Sequence, residues 1–308
     1  MKILVTGASG AVGADLIPRL AEAGHRVRAF ARDPARVTAD GVHEIITGDA
    51  VSGAGLDGAM VGIDVAYFLI HSMETAEQAT GSFVERDRRA AQRFAAAAAQ
   101  AEVRRIVYLG GIVPAQAIAS PHLASRLEVE ETLLGGAPQA VALRASIVIG
   151  ARSRSFRFLV RLVERLPVLA MPIWRDNVTQ PIDGRDVAAY LVAAGTSDAV
   201  EGRLSLDVAG PEIVSYGAMI ERIRDLMLVG RPRLSLNLRL TTVASRVAAA
   251  IAGEDHSLIE PLMGSLDSDL LPRDERARSL FDVRLHRFDA AVEHALGEWE
   301  AVEPLAAR

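Results

Sequence analysis

The chain has no cysteine among its 308 residues. This absence excludes a disulfide framework, a thiolate nucleophile and a thiolate metal site, and it fits a reducing, cytoplasmic compartment. A run of basic residues is also missing, and 34 Lys and Arg against 39 Asp and Glu leave a net charge of −5. That balance argues against a nucleic-acid partner, since a phosphate backbone is bound by clustered positive charge.

Long hydrophobic runs are missing as well. The longest apolar stretches, such as 65–70 and 95–99, are far shorter than the roughly 20 residues of a membrane-spanning helix. The chain starts directly with a predicted strand and turn, so we expect no secretory leader. Half of the residues are hydrophobic, which is enough for a folded core. The composition therefore predicts a cytoplasmic globular protein with no membrane contact.

Short β-rich segments alternate with longer Ala-rich segments in the first half of the chain. Apolar strands separated by helices are typical of a parallel sheet covered on both faces, and right-handed crossovers then give a doubly wound α/β fold. We predict strands at 3–5, 27–31, 43–47, 63–70, 106–109 and 140–149, with helices at 11–23, 82–101 and 123–134.

The pattern changes after residue 150, where prolines separate shorter elements. We predict that a helix at 185–194 and a strand at 204–208 rejoin the main sheet, and that the remainder is a smaller, mostly helical C-terminal cap. The predicted units are a sheet domain at 1–150 and a cap at 151–308, with about 180–210 returning to the sheet. The helices expected in the cap are 216–228, 242–251, 274–280 and 288–296.

Glycines recur at a fixed spacing after the first strand. They form G-x-x-G-x-x-G, which opens a helix directly after the strand. Glycine permits a sharp turn and a close approach of a pyrophosphate, while the helix N-terminus supplies N–H groups and partial positive charge. Because strand, turn and helix agree, we predict a dinucleotide site rather than an ordinary tight turn. The residues predicted to hold the cofactor here are Gly7, Ser9, Gly10, Ala11, Val12 and Gly13.

The end of the second strand distinguishes NAD from NADP. A carboxylate there binds the ribose hydroxyls, whereas an arginine accommodates a 2′-phosphate. Arg32 stands at the strand end and Arg36 follows within reach, while the acidic Asp33 comes only after Arg32. We therefore predict NADP(H) in preference to NAD(H), against the alternative that both arginines are ordinary surface residues.

Further cofactor contacts are predicted after the next three strands. Asp49 and Ala50 follow the third strand, where a carboxylate can accept a hydrogen bond from the adenine amino group. His71 and Ser72 end the fourth strand, and Gly110 lies on the fifth. Strand carboxyl ends beside the glycine loop are where cofactor and ligand meet in such sheets. For His71, a local hydrogen bond within a loop is the alternative.

These motifs together resemble the short-chain dehydrogenase/reductase superfamily. The segments T-G-A-S-G-x-x-G at 6–13, R-D-P at 32–34, G-D at 48–49 and V-Y-L-G-G at 107–111 look like its atypical, NmrA-like and complex-I-accessory-like branch. The resemblance is good through about residue 210 and thinner afterwards. It implies a Rossmann fold and an NAD(P)H-binding oxidoreductase.

Active members of that superfamily use a serine after the fifth strand and a Tyr-x-x-x-Lys on the next helix. This chain has Gly110 and Gly111 in place of the serine, and His122 and Arg126 at the tyrosine and lysine positions. A histidine can donate a proton near neutral pH, and an arginine can hold a ribose or phosphate without titrating. His122 and Arg126 are the predicted catalytic residues; the alternatives are a helix cap for His122 and an ion pair of Arg126 with Glu130.

Three functions fit this pattern. The first is an NADP(H)-dependent oxidoreductase acting on a small carbonyl, quinone or enone. The second is a non-catalytic NADP(H)-binding redox sensor or scaffold, which the missing Ser, Tyr and Lys favour. The third is an isomerase or epimerase with tightly held cofactor. We expect a small-molecule substrate and no metal, and a homodimer is left open.

Overall fold

The computed structural model describes residues 1–70, 82–113, 121–236 and 266–305, without the side chains of residues 121 and 122. Within them, seven parallel strands form a central sheet, and short strands pair beside it. The central strands are β1 (Lys2–Thr6), β2 (Arg26–Ala31), β3 (Val42–Thr47), β4 (Val65–Phe68), β5 (Arg105–Gly111), β6 (Gln139–Ala145) and β11 (Arg203–Val208). The short strands are β7 (Val148–Ile149), β8 (Leu169–Met171), β9 (Val178–Thr179), β10 (Ile182–Asp183), β12 (Val214–Ser215) and β13 (Arg233–Ser235).

Helices cover the strands. In the described part of the chain they are α1 (Ala11–Glu22), α2 (Leu56–Met60), α3 (Phe83–Gln100), α4 (Pro121–Leu134), α5 (Arg154–Arg165), α6 (Gly184–Thr196), α7 (Tyr216–Leu226), α8 (Arg276–Phe281) and α9 (Phe288–Glu300). None of these helices is both long enough and apolar enough to cross a membrane. The helix predicted at 242–251 lies outside the described residues.

The strand order of the central sheet is β11-β6-β5-β4-β1-β2-β3, and every neighbouring pair is parallel. The chain runs outward from β1 to β3 and then returns to the other side of β1 for β4. The doubly wound Rossmann sheet predicted from the sequence is therefore confirmed. A crevice opens between β1 and β4 at the carboxyl ends of the strands, which we call the carboxyl edge, and this is where such sheets bind ligands.

The predicted sixth strand at 140–149 is wrong in its second half. Strand β6 ends at Ala145, and Val148 and Ile149 pair instead with Ile182 and Asp183. At the break, the Ser146 hydroxyl donates to the Gln180 carbonyl at 2.5 Å. The chain therefore leaves the sheet at the carboxyl edge.

Both faces of the sheet are buried. Helices α1 and α6 pack on one face, which contributes inward side chains such as Val5, Val107 and Leu143. Helices α3 and α4 pack on the other face, where Phe94 and Leu133 lie fully buried. This two-sided burial explains why inner strands such as β1 and β4 are almost continuously apolar, whereas the edge strand β3 is largely exposed.

A second core fills the C-terminal half, where α5, α7 and α9 meet. It contains both tryptophans of the chain, Trp174 and Trp299, in buried positions. The guanidinium carbons of Arg157 and Arg161 lie 4.0 and 4.9 Å from the ring centre of Trp299. These cation–π contacts cover the indole and stabilise the packing of this C-terminal core.

Candidate functional site

The turn between β1 and α1 has no room for side chains. Gly7 has a φ of +69°, and a Cβ atom there would lie 2.6 Å from the Leu69 carbonyl oxygen at the end of β4. A Cβ atom at Gly13 would lie 2.4 Å from the Gly7 carbonyl oxygen. The Gly10 N–H donates to that same oxygen at 2.9 Å and closes the turn. Backbone groups therefore line this part of the crevice, as a closely bound pyrophosphate requires.

The N-terminus of α1 is open to an anion. Its N-cap residue is Gly10, which has no side chain to cap the helix, and the first turn holds no acidic residue. The first backbone bond of the helix runs from Ala14 N–H to the Gly10 carbonyl at 3.0 Å, so the preceding N–H groups have no partner within the helix. Ser9 is exposed, and the neighbouring Ala11 and Val12 are half-buried. This arrangement fits a dinucleotide phosphate.

The residues after β2 are arranged around a short turn. The Asp33 carboxylate accepts a hydrogen bond from the Ala35 N–H at 3.0 Å, which commits it to capping the turn at 34–36. Arg32 and Arg36 are exposed on either side of this turn. The acidic residue nearest the proposed ribose site is thus engaged locally, while two cations lie near it.

The residues after β3 form a second tight turn. The Asp49 Oδ1 atom accepts from the Val51 N–H at 2.9 Å, and Ala50 is buried beneath it. A Cβ atom at Gly48 would lie 2.5 Å from the Phe30 ring, so glycine is required where the turn crosses β2. Asp49 is half-buried at the carboxyl edge, where the adenine contact is predicted.

Gly110 and Gly111 end β5 at the same edge. A Cβ atom at Gly110 would lie 2.9 Å from the Tyr108 ring, so its missing side chain has a packing reason. Gly111 faces α4, and a Cβ atom there would lie 3.7 Å from the Arg126 Nε atom. His71 and Ser72 lie outside the described residues, so their predicted roles stay predictions.

Helix α4 brings Arg126 to the carboxyl edge. The Tyr108 hydroxyl donates to the Arg126 carbonyl at 3.4 Å and ties the helix to β5. Burial raises the pKa of Tyr108, so this phenol stays neutral. Arg126 itself is half-buried, and no carboxylate in the described ranges pairs with its guanidinium. His122 lies one turn earlier on α4, with its side chain outside the described part.

The alternative ion pair between Arg126 and Glu130 is not formed. The buried Glu130 carboxylate binds Arg144 of β6 instead, with Nε at 2.8 Å and Nη2 at 2.5 Å. The Ser205 hydroxyl of β11 also donates to Glu130, at 2.6 Å. Burial disfavours the charged Arg144, but the hydrogen bonds and charge of Glu130 outweigh it and raise the Arg144 pKa.

A second buried carboxylate, Asp207 of β11, was missed by sequence reasoning. Its Oδ2 atom accepts from the Arg273 backbone N–H at 2.8 Å, and its Oδ1 atom lies 3.7 Å from Arg144 Nη1. Burial raises the pKa of Asp207 to about 6. The sequence does hold one signal, since an aspartate inside the apolar segment L-S-L-D-V at 204–208 needs buried partners.

No group of three or more His, Asp or Glu side chains that could hold a metal ion occurs in the described ranges. Among the described residues, the carboxyl edge offers backbone N–H groups and arginine side chains, which bind anions. These residues fit a dinucleotide, whose phosphates would lie at the α1 N-terminus.

Comparisons with known proteins agree with this geometry. A family model described as NAD(P)H-binding matches residues 7–142. A (4-alkanoyl-5-oxo-2,5-dihydrofuran-3-yl)methyl phosphate reductase from Streptomyces griseus is 34% identical over 236 residues, covering 75% of this chain and 74% of the relative. A ceramide reductase from Caulobacter vibrioides is 29% identical over 193 residues, covering 62% and 60% of the two chains.

Solved structures share the whole fold. A short-chain dehydrogenase/reductase superfamily protein from Agrobacterium tumefaciens with bound NAD has a TM-score of 0.72 at 19% identity and covers 98% of both chains. The UDP-glucose 4-epimerase of Thermotoga maritima has a TM-score of 0.73 at 11% identity, covering 98% of this chain and 100% of that one. The chain belongs to the NAD(P)H-binding family of that model and of the Streptomyces griseus reductase, and it has the fold of short-chain dehydrogenase/reductase superfamily structures. Its cofactor is a nicotinamide dinucleotide.

Proposed function

We propose that the protein is an NADP(H)-dependent reductase of a small carbonyl, quinone or enone. The observation that carries the proposal is the position of Arg126, whose half-buried guanidinium lies beside Gly111 at the carboxyl edge without a carboxylate partner in the described ranges. Two relatives of this chain are named reductases, which supports the same chemistry.

The chain's own residues orient the reactants. A bound nicotinamide supplies the hydride. The Arg126 guanidinium would hold the nicotinamide ribose and polarise the nearby substrate oxygen; it is not the proton donor, because a guanidinium does not act as an acid in proteins. The proton that the substrate oxygen takes up comes from His122, one helical turn away, or from a bound water. The helical cap excludes bulk water from the reacting atoms.

The preference for NADP(H) rests on Arg32 and Arg36. The Asp33 carboxylate is engaged by Ala35, and these exposed cations flank the turn beside which a 2′-phosphate would lie. Changing both arginines to alanine is expected to weaken NADPH binding by about tenfold or more and to leave NADH binding unchanged. Arg203→Ala, which removes an exposed arginine from the opposite edge of the sheet, is the matched control. Equal effects on NADPH and NADH would contradict the preference.

Turnover is tested with purified protein, NADPH and a panel of ketones, quinones and enones. We expect cofactor oxidation that Arg126→Met lowers by about a hundredfold, as the loss of a charged group at the reacting atoms does. His122→Phe is expected to lower turnover while NADPH still binds. No oxidation with any member of the panel would refute the reductase proposal.

A second candidate is a non-catalytic NADP(H)-binding sensor or scaffold. The glycine at position 111 favours it, because no hydroxyl side chain stands where active relatives of the superfamily place their serine. For this function, His122→Phe leaves both cofactor binding and any partner response unchanged. Isomerase activity with a tightly held cofactor would instead be recognised by nicotinamide that stays bound through dialysis.

A further inference from the structure

The Glu130 carboxylate is held away from its own helix. It accepts hydrogen bonds from Arg144 Nε, Arg144 Nη2 and the Ser205 hydroxyl, and all three donors come from the sheet. Glu130 and Arg144 are buried, at 2% and 7% exposure. A bidentate pair in such a setting is much stronger than a pair at the surface of a helix, because water does not compete for it.

Arg126 precedes Glu130 by four residues on α4. Side chains at this spacing lie on the same face of a helix and pair when their charges are opposite. If the Glu130 side chain were free to turn, its carboxylate would therefore be within reach of the Arg126 guanidinium. Arg144 occupies both Glu130 oxygens, and Arg126 is left without a carboxylate partner in the described parts of the chain.

We infer that Arg144 is a positioning residue that holds the Glu130 carboxylate against the sheet and so keeps Arg126 open to the ligand at the carboxyl edge. This inference rests on the proposed function, in which Arg126 contacts the cofactor or substrate. Arg144 acts through Glu130 and does not touch the ligand. Without Arg144, Glu130 turns toward Arg126, and the ion pair competes with ligand binding.

Double substitution separates this role from a purely structural one. Arg144→Met is expected to weaken NADPH binding by about tenfold, as Arg126→Met does. Glu130→Leu has no carboxylate to pair with Arg126, so its NADPH affinity stays close to that of the wild type. The pair Arg144→Met with Glu130→Leu is expected to recover that affinity, because no carboxylate remains to pair with Arg126 and two apolar side chains replace the buried ion pair. Asp207, which also faces Arg144, keeps the Arg273 side chain at 3.3 Å.

The same variants report on Arg126 without any ligand. In NMR spectra of the arginine Nε–Hε groups, with the Arg126 signal assigned from Arg126→Lys, Arg144→Met is expected to shift the Arg126 signal and slow its hydrogen exchange. The additional change Glu130→Leu is expected to reverse both effects. If Arg144→Met does not fold, Arg144→Lys replaces it, because lysine keeps the positive charge but binds only one oxygen of the Glu130 carboxylate. The additional change Glu130→Gln then tests whether the lost NADPH affinity is recovered.

Three results would overturn the inference. If Arg144→Met binds NADPH with wild-type affinity, Arg144 has no positioning role. If the double variant binds NADPH as weakly as Arg144→Met, the loss of affinity comes from damage to the fold. If the Arg126 NMR signal is unchanged in Arg144→Met, Glu130 does not pair with Arg126. If instead Arg126→Met binds NADPH and turns over like the wild type, the proposed function fails, while the NMR measurement still decides whether Arg144 keeps Glu130 from Arg126.

Discussion

Asp207 should make the stability of the protein depend on pH. Asp207 is 5% exposed, and its neighbours include the cation of Arg144 and the carboxylates of Asp274 and Glu130. Burial is the largest effect and raises the pKa to about 6 from the ordinary 3.8. Arg144 opposes this rise, at 3.7 Å from Oδ1, and is itself shared with Glu130.

The size and sign of the effect follow from these two pKa values. A difference of about two pH units corresponds to ~3 kcal/mol of unfolding free energy. Because the folded-state pKa is the higher one, the stabilisation is fully present below pH 3.8 and is lost as the pH rises through about 6. Asp207→Asn carries no charge at any pH and keeps an oxygen for the Arg273 N–H. We expect the variant to match the wild type near pH 4 and to exceed it by about 1 to 3 kcal/mol above pH 7.

Urea unfolding between pH 4 and pH 8 measures this directly. Asp274→Asn tests one cause of the shift, because the charge of Asp274 helps to raise the pKa of Asp207. With that charge removed, the fall in stability between pH 4 and pH 8 should be smaller than in the wild type. Parallel pH curves for the wild type and Asp207→Asn would refute a buried carboxyl group with a raised pKa.

Other substitutions test the backbone and the helix ends. Gly7→Ala, which combines a positive φ with a clash against Leu69, should cost about 3 kcal/mol in urea unfolding and weaken NADPH binding. Gly24→Ala has a positive φ but open space, so it should cost about 1 kcal/mol; equal costs would exclude the clash. Ser82→Ala should cost about 1 kcal/mol through the lost capping box, measured the same way. Arg105→Met should cost about 3 kcal/mol, since the buried guanidinium caps the carbonyls at the end of α6; a melting temperature equal to the wild type would contradict this.

The regular part of the fold was predictable because its signals are local. The alternation of apolar strands with Ala-rich helices indicated the parallel sheet, and the spacing of Gly7, Gly10 and Gly13 indicated the turn before α1. The end of β6 was not predictable in the same way. Val148 and Ile149 continue the apolar run, but their pairing with β10 depends on residues more than thirty positions later.

The charged pairs of the site show the same limit. From the sequence, Glu130 had a partner at helical spacing in Arg126. In the structure its partner is Arg144, which lies on β6 rather than on α4 and is close to Glu130 only in the folded chain. The sequence pattern indicates only the partners within reach along one helix. The buried bidentate pair with Arg144 is stronger than the helical pair with Arg126, and it forms only when α4 packs on the sheet. Asp207 was missed because its partners come from β6 and the segment before α8.

Both tryptophans lie in the cap core, and the central sheet has none. Tryptophan fluorescence, excited where tyrosine does not absorb, therefore observes only the C-terminal half, whereas circular dichroism observes every helix and strand. Comparing the two signals along one urea titration asks whether the predicted division into sheet domain and cap is also a division in folding. Coincident transitions mean one cooperative unit, and a fluorescence change at lower urea means that the cap opens while the cofactor crevice stays folded.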